Sequence, residues 1–143
     1  MSQKSRRKPV FRKEKDFEVY TSSIPKIGRG LFAKVKVYPE DTIGNYLGKV
    51  LTDEQFYSER KYYLGSYNVW VCRDCWIWGE GKEANYVRYI NHSSNRFNAE
   101  LVTSVRWKKA RIKAIRIIYP GDEIFMNYGD DYWENIEAEK VDY

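Results

Sequence analysis

Histidine occurs once in the 143-residue chain, at His92, and cysteine twice, at Cys72 and Cys75. Two cysteines are too few for a disulfide scaffold. Their C-x2-C spacing supplies half of a zinc site, but zinc wants four ligands and the lone histidine cannot complete them. The better reading of the pair is strand filler, with no metal expected. A Ser–His or Cys–His dyad needs a nucleophile facing the imidazole and a carboxylate to orient it. Ser93 directly follows His92, which is poor geometry for such a pair. Taken alone, His92 reads as a structural residue. Long apolar runs are also missing, and the N-terminus has no apolar secretory core, so no membrane association is expected. The expectation is an intracellular protein, in the nucleus if the source is eukaryotic and otherwise in the cytoplasm.

What is present is tyrosine, in 13 copies. A buried tyrosine brings ring area and a hydroxyl that needs a partner, so a tyrosine-rich core can also line a polar site. Charge is unevenly placed. Residues 1–16 hold seven Lys or Arg against Glu14 and Asp16, and residues 17–143 carry eighteen of each sign. The net excess of +5 thus sits in an N-terminal arm. Such an arm is expected to be disordered and to offer contact with polyanions such as nucleic acid; a solvated, solubilising tail fits equally well. The stretch from Asp130 to Tyr143 is acidic. The expected organisation is an arm over 1–16 and a single domain over 17–143, within the usual domain size.

The pattern after the arm is mainly β. Strands are expected at 17–20, 30–37 and 42–51, and Thr52 with Gln55 has the spacing of a helix capping box. Phe56, Arg60, Tyr63 and Leu64 follow at helical intervals. Residues 68–72 and 75–78 read as two short strands around Arg73-Asp74. A hairpin is expected from 100–107 and 111–118, then the Pro120-Gly121-Asp122 turn and a strand over 123–128. From Trp133 the pattern turns helical. Strand–helix alternation is missing, which argues against a parallel α/β fold.

Three segments carry chemical signals. Gly28-Arg29-Gly30 allows close backbone approach to a ligand, yet without a third glycine and a following helix it is no dinucleotide loop, and a plain turn is the default. Arg88-Tyr89-Ile90-Asn91-His92-Ser93 holds the only imidazole. Pro120-Gly121-Asp122-Glu123-Ile124-Phe125-Met126-Asn127-Tyr128-Gly129 is a turn that launches a strand. The order GRGLFA, YLGKV, RYINHS, PGDEIFMNYG, running from about Lys26 to Trp133, resembles the SET-domain protein lysine methyltransferases. The closing Gly-Asp-Asp-Tyr-Trp is similar to the end of the minimal viral SET domain and of some histone methyltransferases.

This resemblance implies a β-clip fold of several small sheets with one or two short helices, in which the end of the Tyr128 strand threads beside Asn91-His92 in a knot-like crossing. It implies S-adenosylmethionine as methyl donor, held by Arg29, Gly30, Leu31, Asn91 and His92, with Tyr132 or Trp133 covering the adenine. Tyr63-Leu64 matches a cofactor segment in which Gly65 replaces the usual Phe. Tyr128 would orient the amine, Tyr46 would line the lysine channel with it, and Met126 would stand where the family often carries Phe or Tyr. Met offers no hydroxyl to hold a water, which leans toward higher methylation. After Asn91-His92-Ser93 the family usually reads Cys-x-Pro-Asn; here Ser94-Asn95-Arg96-Phe97-Asn98 is one residue longer. Cysteine-rich flanks are absent, so part of the peptide channel would come from residues 130–143 or a second copy, and the chain is expected to be a monomer or homodimer. The expected substrate is a protein lysine, with histone tails first to test. A non-histone protein substrate and an inactive domain acting as a binding module are the alternatives.

Overall fold

The computed structural model describes residues 7–64 and 67–129. Chain order runs β1 (Phe17–Thr21), β2 (Arg29–Ala33), β3 (Thr42–Asn45), β4 (Lys49–Leu51), α1 (Asp53–Ser58), α2 (Arg60–Tyr63), β5 (Asn68–Cys72), β6 (Cys75–Trp78), β7 (Asn91–His92), β8 (Ala99–Ser104), β9 (Lys109–Ala114) and β10 (Glu123–Met126). Short 3-10 turns lie at Glu14–Asp16 and Tyr86–Tyr89. The fold is mainly β, as expected. A seven-stranded sheet has the order β1-β2-β10-β8-β9-β3 with β7 also on β10, and a three-stranded sheet has the order β4-β6-β5.

Turn chemistry fixes the local pairs. Gly28, at φ 101°, lets the chain turn into β2, which returns antiparallel to β1 with Thr21 opposite Arg29. Asp74, at φ 61°, closes the β5–β6 hairpin, a conformation that Asp tolerates better than most residues. The glycine segment is therefore a turn and the first half of a strand.

Several expected elements are shorter or broken: the strand expected over 30–37 ends at Ala33 and that over 123–128 at Met126. Residues 42–51 divide into two strands because the chain passes from the large sheet to the small one at Tyr46-Leu47-Gly48. A Cβ at Gly48 would stand 2.3 Å from the Trp78 carbonyl oxygen, so only glycine fits this crossing. The capping box is real: the Thr52 side chain accepts from the Gln55 N–H and the Gln55 side chain accepts from the Thr52 N–H. Glu59 then adopts an extended conformation and separates α1 from α2. This break shifts the phase of the apolar face, so Phe56 and Tyr62 are the buried residues of the pair. The β8–β9 hairpin begins and ends earlier than the apolar pattern suggests.

Part of the basic arm is bonded to the domain, in contrast to the disorder expected for residues 1–16. The Arg12 N–H donates to the Thr42 carbonyl and the Thr42 N–H to the Val10 carbonyl. The side chain of Asp41 is fully buried. It accepts from the Arg7 and Arg12 guanidinium groups and from the backbone N–H groups of Val10 and Tyr38. Two of the arm's cations therefore neutralise a buried acid. Packing begins before the boundary drawn from charge alone.

The main core gathers Leu31, Ile43, Ile112, Ile118 and Ile124, all fully buried. A second cluster holds Leu51, Phe56 and Tyr62, with Trp76 and Trp78 against it. Phe56 and Trp76 stack with centroids 3.7 Å apart. All four residues of β10 are buried, which fits its central place. On one side β10 runs antiparallel to β2, Ile124 opposite Leu31. On the other it runs parallel to β7, Met126 opposite His92, and touches β8 at Ala99.

Candidate functional site

The parallel contact between β10 and β7 brings the two RYINHS and MNYG segments together. The Ser93 N–H donates to the Met126 carbonyl at 3.1 Å and the Asn98 N–H to the Phe125 carbonyl at 3.0 Å. The Asn98 side chain locks the same strand twice, accepting from the Phe125 N–H and donating to the Glu123 carbonyl. The threading of the Tyr128 strand end beside Asn91-His92 is thus observed directly.

His92 is buried, and its Nδ1 accepts the Tyr128 backbone N–H at 3.0 Å. That bond needs Nδ1 unprotonated and takes up the lone pair a general base would use. The Tyr128 hydroxyl donates to the Ile90 carbonyl at 2.6 Å. With its proton committed there, the phenol oxygen meets any further group as an acceptor. One backbone and one side-chain hydrogen bond therefore hold Tyr128 against the strand that carries Asn91 and His92.

Asn91 connects this crossing to the glycine segment, donating from Nδ2 to the Arg29 carbonyl at 2.9 Å. Its Oδ1 accepts no protein hydrogen bond among the described residues, and the exposed Arg29 guanidinium has no ion pair there. An amide oxygen accepts from an ammonium and a guanidinium pairs with a carboxylate, the two charged groups of an amino acid. Gly30 is buried beside them. Its missing side chain makes room for Glu123, since a Cβ there would lie 2.3 Å from Glu123 Oε2. Glu123 in turn accepts from the Ser22 hydroxyl at 2.6 Å, the Ser23 hydroxyl at 2.7 Å and the Ser23 N–H at 2.8 Å. Leu31 is fully buried in the core.

Tyr46, Met126 and Tyr128 all pack on the main core cluster. The Tyr46 hydroxyl lies against Gly79, where a Cβ would come within 2.7 Å. Arg88 reaches the same corner, donating to the Gly79 carbonyl at 3.4 Å and to the Tyr89 hydroxyl at 3.1 Å. Its guanidinium also faces the rings of Tyr67 and Tyr89. Burial raises the Tyr67 pKa, while Arg88 pulls it the other way. Burial pushes Tyr86, which donates to the Ile43 carbonyl, up to about 12. Both phenols remain neutral donors at ordinary pH.

Not every expected residue joins this group. Tyr63 lies in the second aromatic cluster, with Phe56 and Tyr57 as its ring neighbours. Tyr132 and Trp133 fall outside the described residues. Sequence reasoning missed the Glu123–Ser22–Ser23 set and the Arg88–Tyr67–Tyr89 corner. Glu123 in an otherwise apolar strand was a usable signal, because a buried acid needs donors. Among the described residues no cluster of His, Cys, Asp or Glu could hold a metal ion, and no helix is long and apolar enough to cross a membrane.

The SET domain family model matches residues 28–129. The chain belongs to the SET-domain family. It is 26% identical over 119 residues to the human histone-lysine N-methyltransferase PRDM7, covering 80% of this chain and 23% of that protein. It is 31% identical over 137 residues to a variant-silencing SET domain-containing protein of Plasmodium falciparum, covering 87% of this chain and 5% of that protein. It is 28% identical over 126 residues to the histone-lysine N-methyltransferase mes-4 of Caenorhabditis elegans, covering 76% and 14%. The chain therefore spans less than a quarter of the length of each of these relatives.

Proposed function

We propose that this SET domain transfers a methyl group from S-adenosylmethionine to the side-chain nitrogen of a lysine in a protein, with histone tails the first substrates to test. The observation that carries the reading is the double anchoring of Tyr128, through its N–H on His92 and its hydroxyl on Ile90. A phenol oxygen fixed in this way accepts a hydrogen bond from the incoming amine and points the nitrogen lone pair along one line. Alignment of that kind can supply much of the rate of a displacement reaction.

When bound, S-adenosylmethionine supplies an electrophilic methyl on a sulfonium that leaves without acid assistance. Arg29 would hold its carboxylate and the Asn91 amide oxygen its ammonium. Gly30, Leu31 and His92 would keep those two groups in register, and Tyr63, Tyr132 and Trp133 remain proposed cofactor contacts on the family resemblance. The lysine must reach Tyr128 neutral. Tyr46 and Met126, both buried, would exclude water from the channel, which lowers the amine pKa by disfavouring its charged form. Met126 adds no hydroxyl there, so more than one methyl transfer is expected.

The test is transfer of labelled methyl to panels of histones and of other proteins, with the modified residue and methyl number read by mass spectrometry. Label on lysine supports the reading. No label on any protein, together with no cofactor binding by calorimetry, overturns it.

A further inference from the structure

A pocket of about 200 Å³ opens beside Tyr46, between the β3–β4 connection, β6 and the tip of the β8–β9 hairpin. Its buried lining is Tyr46, Ile77 and Ala110, and Val50 and Trp107 stand at its mouth 58% and 64% exposed. Concave apolar surface with a few polar groups at its edge is the usual form of a binding site. Lys108 and Lys109 complete the lining, both exposed, and the Arg106 guanidinium lies 4.8 Å from the centre of the Trp107 ring. Among the described residues no carboxylate lines the pocket.

We infer that this pocket receives a segment of the protein substrate that carries a bulky apolar side chain next to aspartate or glutamate. The apolar floor favours a side chain that leaves water, and the lysines favour carboxylates over cations. A nucleic-acid backbone would satisfy the charges but has no apolar group to fill the floor. Tyr46 belongs both to this pocket and to the proposed lysine channel, so one extended chain can occupy both. The inference rests on the lysine-transfer reading and sharpens it: the preferred lysine has acidic and apolar neighbours, unlike a uniformly basic tail.

The test uses the full chain and two dye-labelled peptides with one lysine each, one flanked by Leu-Asp-Glu and the other by Ser-Lys-Lys. Binding is read by fluorescence anisotropy and transfer by kcat/KM. The unmodified chain is expected to prefer the acidic peptide. The Lys108→Glu, Lys109→Glu double variant, changed only at exposed positions, is expected to shift the ratio by about tenfold toward the basic peptide. An unchanged ratio in that variant overturns the inference, as does a DNA duplex that binds while the acidic peptide does not. Cofactor binding without transfer to either peptide counts against the lysine-transfer reading, whereas the anisotropy ratio still decides the pocket.

Discussion

His92 and Tyr128 are joined through the Tyr128 backbone N–H, which donates to the imidazole Nδ1 at 3.0 Å, with the two rings 5.3 Å apart. The bond links residues 36 positions apart, at the point where the last described strand passes beside β7. It turns the only histidine from a potential base into the residue that sets the height and direction of Tyr128.

Replacing His92 with Ala should leave the Tyr128 N–H without its acceptor. An unmatched, partly buried donor costs roughly 1–3 kcal/mol. Urea unfolding should report that loss, and methyl transfer should fall with it because Tyr128 is no longer positioned. Unaltered stability would show that the bond does not hold the crossing together.

Asp41 yields a pH-dependent prediction. Burial by itself would raise its carboxyl pKa, but hydrogen bonds from Arg7, Val10 and Tyr38 outweigh that effect and hold it below the ordinary value. A group depressed in this way contributes stability above its unfolded pKa, and the contribution is lost as pH falls through the folded value. Asp41→Asn should therefore be less stable than the parent at neutral pH. The difference should shrink below about pH 4, near the ordinary value of an aspartate carboxyl. Thermal melts at several pH values provide the check; a pH-independent difference would contradict it.

Gly30 and Glu123 should behave as a coupled pair. Gly30→Ala places a methyl where the Glu123 carboxylate is held by three hydrogen bonds, so the carboxylate cannot swing aside freely. Overpacking of this type costs roughly 1–3 kcal/mol. In a Glu123→Ala background the space is already open, and the same change should cost much less. A double-mutant cycle measures the coupling, and simple additivity would rule it out.

These pairs also show where the sequence was informative. The Thr52–Gln55 capping box, the Arg73-Asp74 hairpin and the mainly β pattern were legible because each depends on residues a few positions apart. Helix phase past Glu59 was not, since the apolar spacing gives no sign that the chain will extend there and bury Tyr62 in place of Tyr63. The split of residues 42–51 depends on the Trp78 carbonyl passing Gly48, a contact invisible to alternation. The arm looked solvated because its cations stand near each other in sequence, while their partner, Asp41, stands 34 and 29 residues away.

The candidate site follows the same rule. The family resemblance carried by the four motifs implied that Asn91, His92 and Tyr128 are neighbours, and the β7–β10 pairing brings them together. The serines that serve Glu123 lie 100 and 101 positions from it, with nothing in their own segment to signal the role. Charge beside Tyr46 was legible only as a count of basic residues; the fold places Lys108 and Lys109 in the lining of the pocket there.

The central claim is that Tyr128 acts through its hydroxyl once His92 has fixed its backbone. Its most direct test is single-turnover methyl transfer by Tyr128→Phe against the unmodified chain at saturating cofactor, with cofactor affinity measured separately by calorimetry. Removing a hydrogen bond made to the reacting group should slow transfer by about a hundredfold or more, while cofactor affinity stays within a few fold. Transfer by the Phe variant within twofold of the parent would contradict the claim.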